Sequence, residues 1–197
     1  VRAPWWSFVD NVQAAAPSAV IRAILGNHDF RLHRFLADTA PQIRTTALRA
    51  FDDLVRYQGR VLLPDYLSEC DIGAVTVMHG NKSTLGEYGA KRQLERRKYQ
   101  RFIMAGHSHN PAWYLTRGPE RAIASVVGGC LCQFPHYQKD TLYSSWTQGF
   151  AYAIYDTRAR YAWLHNVVFE RAGDALVTTI GGVVYAYRLQ AQKARAA

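Results

Sequence analysis

The hydrophobic pattern changes character near residue 110. Before it, short apolar runs alternate with segments of helical spacing. Residues 5–16 place Trp5, Phe8, Val9 and Val12 on one face of a helix that Pro17 ends. Val20-Ile21-Arg22-Ala23-Ile24-Leu25 is nearly all apolar, the pattern of a strand buried on both sides. Leu32, Phe35, Leu36 and Thr39 predict a helix up to Pro41, and Leu48, Phe51 and Val55 form the inward stripe of another over Thr45 to Tyr57. Arg60 to Pro64, Ala74 to Met78 and Phe102 to Ala105 read as strands. Between the last two, Lys82 to Arg101 carries seven basic residues against Glu87 and Glu95. It predicts a helix from about Gly86 without a clean apolar stripe, and its charges read as a solvated face.

After residue 110 the chain becomes a run of strands: Ala112 to Thr116, Ala122 to Val127, Phe150 to Tyr155, Tyr161 to Phe169, Ala175 to Thr179 and Val183 to Leu189. Glycine-containing turns such as Gly118-Pro119, Gly173-Asp174 and Gly181-Gly182 punctuate them. These strands predict an antiparallel second sheet packed on the first. Phe134 to Trp146 is too polar and aromatic for a strand and is expected to be an ordered loop. The basic tail, 190–197, is expected to fray. No repeat or linker interrupts the rest, so a single domain over 1–189 is expected.

Composition narrows this picture modestly. A chain of 197 residues, 49% hydrophobic and 13% aromatic, can bury a substantial core, which sets disorder aside. No apolar run approaches the roughly 20 residues of a membrane-spanning helix. The first residues, Val1 to Trp6, lack an initiator Met and the apolar core of a secretory signal, so a piece of a longer or processed chain is expected. The net charge of +9 favours phosphate-bearing partners by long-range steering, and equally suits solubility alone. Cys70, Cys130 and Cys132 are odd in number and lack zinc-type spacing. Reduced thiols in a cytoplasmic setting follow.

The chemistry collects where apolar runs end. Gly26-Asn27-His28-Asp29 is expected to form a loop after the first strand, Met78 is followed by His79-Gly80, and Ala105 by Gly106-His107-Ser108-His109-Asn110. Ligand sites of open α/β sheets form beyond the carboxyl ends of strands. Imidazole and amide donors there suit manganese, iron, zinc or nickel better than calcium. On extended backbone His107 and His109 would project to one side and serve one metal or two neighbouring ones. His33, His136 and His165, by contrast, read as hydrogen-bonded loop residues.

Together these residues resemble the calcineurin-like metallophosphoesterases. That family's signature runs Asp-x-His, Gly-Asp, Gly-Asn-His-Asp, His-Gly and Gly-His-x-His, and the last three motifs are present here. Gly129-Cys130-Leu131-Cys132 and Trp146-Thr147-Gln148-Gly149-Phe150 look like the variety encoded in bacteriophage and prophage genomes. The resemblance implies an α/β fold, a two-sheet α/β/β/α metallophosphoesterase sandwich, here lacking its N-terminal βαβ unit. It implies divalent metals, two in the full family pattern and manganese foremost. Asn27, His79 and His107 would be ligands of one metal and His109 of the other. His28 would protonate the leaving oxygen, with Asp29 orienting its imidazole. The expected substrate is a phosphomonoester or phosphodiester, with nucleic acid or nucleotide favoured. The expected location is cytoplasmic, in a host if phage-encoded, with no membrane partner. No Asp-x-His and no Gly-Asp precede Gly26, where the family places them, so an upstream segment or companion chain is expected to supply these motifs; the alternative is a catalytically impaired remnant or binding module of the same fold.

Overall fold

A computed structural model describes residues 2–63, 69–80, 88–131 and 146–189, without the side chains of residues 2–4, 27, 28 and 30. The fold is mixed α/β and divides into two compact units, Val1–Cys70 and Asp71–Ala197.

In the first unit, α1 (Arg2–Ala15), α2 (Asn27–Thr39) and α3 (Arg44–Arg56) accompany two short parallel strands, β1 (Ile21–Arg22) and β2 (Val61–Leu62). Val9, Ile21 and Val61 form the buried centre, with Trp5, Val12 and Tyr57 against it. The apolar run over 20–25 is not a strand buried on both sides. Only Ile21 and Arg22 pair, Arg22 faces outward, and Val20 is 69% exposed. Val20 and Arg22 alternate to the same, solvent-facing side, so only the Ile21 side of this segment is covered.

Helix spacing fares better, with corrections: Phe8 of the expected α1 face is 46% exposed beside the fully buried Val9, and Leu48, Phe51 and Val55 of α3 are only half-buried. Leu36 is buried while Phe35 is 61% exposed, because neighbours a hundred degrees apart on a helix cannot both point at a narrow contact. Helix α3 ends at Tyr57, whose φ of 42° makes it a left-handed cap rather than a last helical residue. The indole N–H groups of Trp5 and Trp6 donate to the Val55 and Leu54 carbonyls at 3.1 and 3.2 Å, two acceptors the helix end leaves unused.

In the second unit, Cys70 apart, the central sheet has the order β3 (Cys70–Ile72), β4 (Val75–Met78), β5 (Phe102–Ala105), β7 (Ala122–Val127) and β6 (Ala112–Arg117). Strands β4, β5 and β7 are parallel and β6 is antiparallel at the edge. Helix α4 (Gly89–Arg96) crosses between β4 and β5 and buries Gly89, Ala90, Gln93 and Leu94. Its inward stripe consists of two small residues, an amide and one leucine, which explains why no apolar stripe is visible in the sequence. Arg92, Glu95 and Arg96 are solvated as expected.

Strands β8 (Gly149–Asp156) and β9 (Tyr161–Val168) form an antiparallel pair, and β10 (Glu170–Ala172), β11 (Ala175–Ile180) and β12 (Val183–Arg188) form a meander. Ala162 and Leu164 of β9 join the core of Leu94, Phe102, Ile103, Val126 and Val127, so a second layer does pack on the first. The expected single second sheet is otherwise corrected. Strands β6 and β7 extend the first sheet, and the segment from Tyr161 splits into β9 and β10. The expectations for the Phe134 to Trp146 loop, Trp146 apart, and for the 190–197 tail lie outside the described residues.

Candidate metal and catalytic site

Parallel pairing brings three strand ends to one level. Met78 pairs with Ala105 and Ala105 with Val127, so His79, Gly106 and Gly128 emerge side by side. The alignment continues past the strands: the Gly106 N–H donates to the His79 carbonyl at 3.1 Å and the Gly128 N–H to the Ala105 carbonyl at 2.8 Å. A Cβ at position 106 would sit 3.4 Å from the His79 carbonyl oxygen, an ordinary contact, so close approach alone does not demand glycine there.

Beyond Gly106 the backbone does not stay extended, which corrects the expected projection of His107 and His109. His107 has φ of 75° and His109 φ of 56°. The Ser108 N–H closes onto the Gly106 carbonyl at 3.0 Å, making His107 the centre of a three-residue turn. Left-handed conformations at non-glycine residues cost on the order of 1–3 kcal/mol each and concentrate at functional sites. The turn has a visible result: His79 Nε2 lies 3.1 Å from His107 Nδ1, with the rings at 81°.

His109 takes a different direction. Its ring lies 4.3 Å from that of Trp146, and its carbonyl accepts the Thr147 N–H at 2.8 Å. Thr147 and Gly149 in turn bond Cys130 at 3.0 and 2.9 Å, tying Trp146–Gly149 to the loop after β7. Trp146 is therefore a site residue that the histidine pattern alone does not reveal. Its signal was its place in a short aromatic and glycine motif. Cys130 is buried, and its thiol points to the Thr147 carbonyl at 3.7 Å.

In the first unit, Gly26 caps α2 and the chain turns helical at once, so Asn27-His28-Asp29 is a first helical turn rather than a loop. The Asp29 carboxylate accepts the Gly26 N–H at 2.7 Å, half of a capping box whose other half glycine cannot supply. The side-chain roles expected of Asn27 and His28 lie outside the described set. His33 lies within α2 and His165 within β9, stacked on Tyr152 at 4.7 Å; neither is a loop residue. His136 lies outside the described residues.

The histidine pair suits a metal edge. Two nitrogens about 2.1 Å from one ion stand about 3.0 Å apart at a right angle and about 3.4 Å at a tetrahedral angle. The 3.1 Å separation falls between these limits, and without an ion it is a hydrogen bond whose donor depends on the tautomers. Among the described residues, no group of three or more His, Cys, Asp or Glu could hold an ion. No family model, curated protein or solved structure matches the chain. No helix among the described residues is long and apolar enough to cross a membrane.

Proposed function

We propose that the chain belongs to a metal-dependent phosphoesterase of the calcineurin-like sandwich type, hydrolysing phosphomono- or phosphodiesters, with nucleic acid or nucleotide favoured. The observation that carries this reading is the His79–His107 pair, set 3.1 Å apart at the carboxyl ends of adjacent parallel strands by a strained turn. In this reading the pair is an edge of one metal's ligand set, and a bound metal supplies Lewis-acid activation of water and neutralises phosphoryl charge. Asn27 as a ligand, His28 as the acid, Asp29 as its positioning residue and His109 as a ligand of a second metal enter through the motif resemblance. A positioned acid of that kind is worth about 10²–10⁴ in rate.

A second reading has its own support. With no third His, Cys, Asp or Glu grouped with the pair among the described residues, the alternative is a phosphate-binding module of the same fold that hydrolyses nothing. The two readings separate on bis-p-nitrophenyl phosphate with manganese. Turnover abolished by His79→Ala supports the hydrolase, whereas no turnover and no bound metal supports the module. Calorimetry with manganese or zinc is expected to show binding by the native chain that His107→Ala removes. Identical titrations would refute the metal assignment.

A further inference from the structure

We propose that the open face shared by β6 and β9 is a binding groove for single-stranded nucleic acid, a reading that does not depend on the histidine pair. Along β6, Trp113, Leu115 and Arg117 alternate to one face of the sheet, about 7 Å apart. Trp113 is 53% and Leu115 45% exposed, because the two-stranded β8–β9 layer covers only part of that face. Across from them Trp163 of β9 is 48% exposed, and its indole meets the Tyr161 ring edge-on at 5.0 Å. Tyr161 is itself anchored edge-on to the buried Phe102 at 4.9 Å, so the Trp163 platform is held in place before any ligand arrives.

The space between these walls is about 480 Å³, bounded by Trp113, Leu115 and Trp163 among others. It continues past Tyr161 and Trp163 into a cleft of about 440 Å³ that reaches Glu120 and Arg121. It also continues past Leu115 into one of about 530 Å³ beside Arg117. One end is thus aromatic and the other basic. At the basic end the Arg121 guanidinium donates to the Arg160 carbonyl at 2.6 Å and ties the β6–β7 turn to the β8–β9 turn. Arg117, Arg158 and Arg160 are exposed there, against Glu120 and Asp156. Asp156 is occupied by the backbone N–H groups of Arg158 and Ala159, and Glu120 by Arg121.

Exposed indoles beside the guanidinium groups of Arg117, Arg158 and Arg160, which have no carboxylate partner among the described residues, match what single strands require: π-faces for unpaired bases and cations for the backbone. A duplex hides its base faces and could not use the indoles. A purely aliphatic partner would leave the arginines unmatched.

The test is fluorescence anisotropy of the full chain with a labelled oligothymidine of about 12 nucleotides in EDTA, so that no metal chemistry contributes. Binding is expected at about 50 mM salt, weakening linearly on a log–log plot as salt rises. Trp113→Ala and Trp163→Ala should each weaken it by roughly 5- to 150-fold, with Trp163→Phe retaining most of the affinity. Arg117→Ser should reduce the salt slope by about 0.7. Both indoles are half exposed, so an unchanged unfolding midpoint is expected to show that the variants fold. Lack of binding, a duplex bound as tightly, or an affinity unchanged in the Trp113→Ala/Trp163→Ala double variant would overturn the proposal. So would a dimer, seen by sedimentation, that the Trp163→Ala change dissolves.

Discussion

At the scale of the residue, backbone conformation and close approach decide what a position tolerates. His107 sits at φ of 75°, where any L side chain is strained. His107→Gly should therefore be more stable than His107→Ala by about 1 kcal/mol, although both lose the imidazole. Urea midpoints of the two variants check this, and equal values would remove the strain from the account. Gly129 shows the complementary constraint. A Cβ there would collide with the Thr147 carbonyl oxygen and crowd Gly149. Backbone atoms cannot rotate away, so Gly129→Ala is expected to cost about 1–3 kcal/mol and to loosen the segment that carries Trp146. Asp29→Ala removes the acceptor for the Gly26 N–H and should cost about 0.5–2 kcal/mol with no change in m-value. The glycines and histidines of this site were legible as a pattern, but their torsions were not. Gly-His-Ser-His reads equally well on extended backbone and in a tight turn.

At the scale of the element, type was legible and environment was not. Strands β5 and β7 coincide with the apolar runs over 102–105 and 122–127, because continuous apolar runs of that length bounded by turn residues have few other uses. Strand β3 went unseen. Cys70-Asp71-Ile72 has a carboxylate in the middle, and Asp71 accepts the Thr76 hydroxyl at 2.7 Å across the turn at Gly73. Helix α4 illustrates the same limit. Its fully buried Leu94 sits between Gln93 and Glu95 within a largely basic helix, so the stripe is hidden by composition. Leu94→Ala should cost about 2–5 kcal/mol, while Arg96→Ala on the solvated face should stay within about 0.5 kcal/mol. Thermal denaturation of the pair distinguishes a packed helix from a surface appendage.

At the scale of the whole molecule, the chain combines a strand-end histidine pair with a face that starts at Trp113, level with Val126 near the same strand ends, and runs to Arg117 and Arg121 at the opposite end of the sheet. If the pair holds metal, stability must respond to metal. At a manganese concentration of about 100 times the dissociation constant, linkage adds about 2.7 kcal/mol, seen as a rise in melting temperature that EDTA reverses and His79→Ala abolishes. A melting temperature indifferent to manganese would argue for the hydrogen-bonded pair alone.

The sequence by itself determined the parts of this protein that depend on local periodicity and residue chemistry: helices in the first half, most strands in the second, and histidines placed directly after apolar runs. Tertiary structure alone decided which strands share a sheet. It also decided that His79 and His107 meet while the His109 ring turns to Trp146, and that Trp113 and Trp163 are left uncovered. The physical reason is range. Periodicity is written into neighbouring residues, whereas sheet order, the sign of φ in a turn and the shortfall of a two-stranded layer over a five-stranded one arise only when distant segments pack.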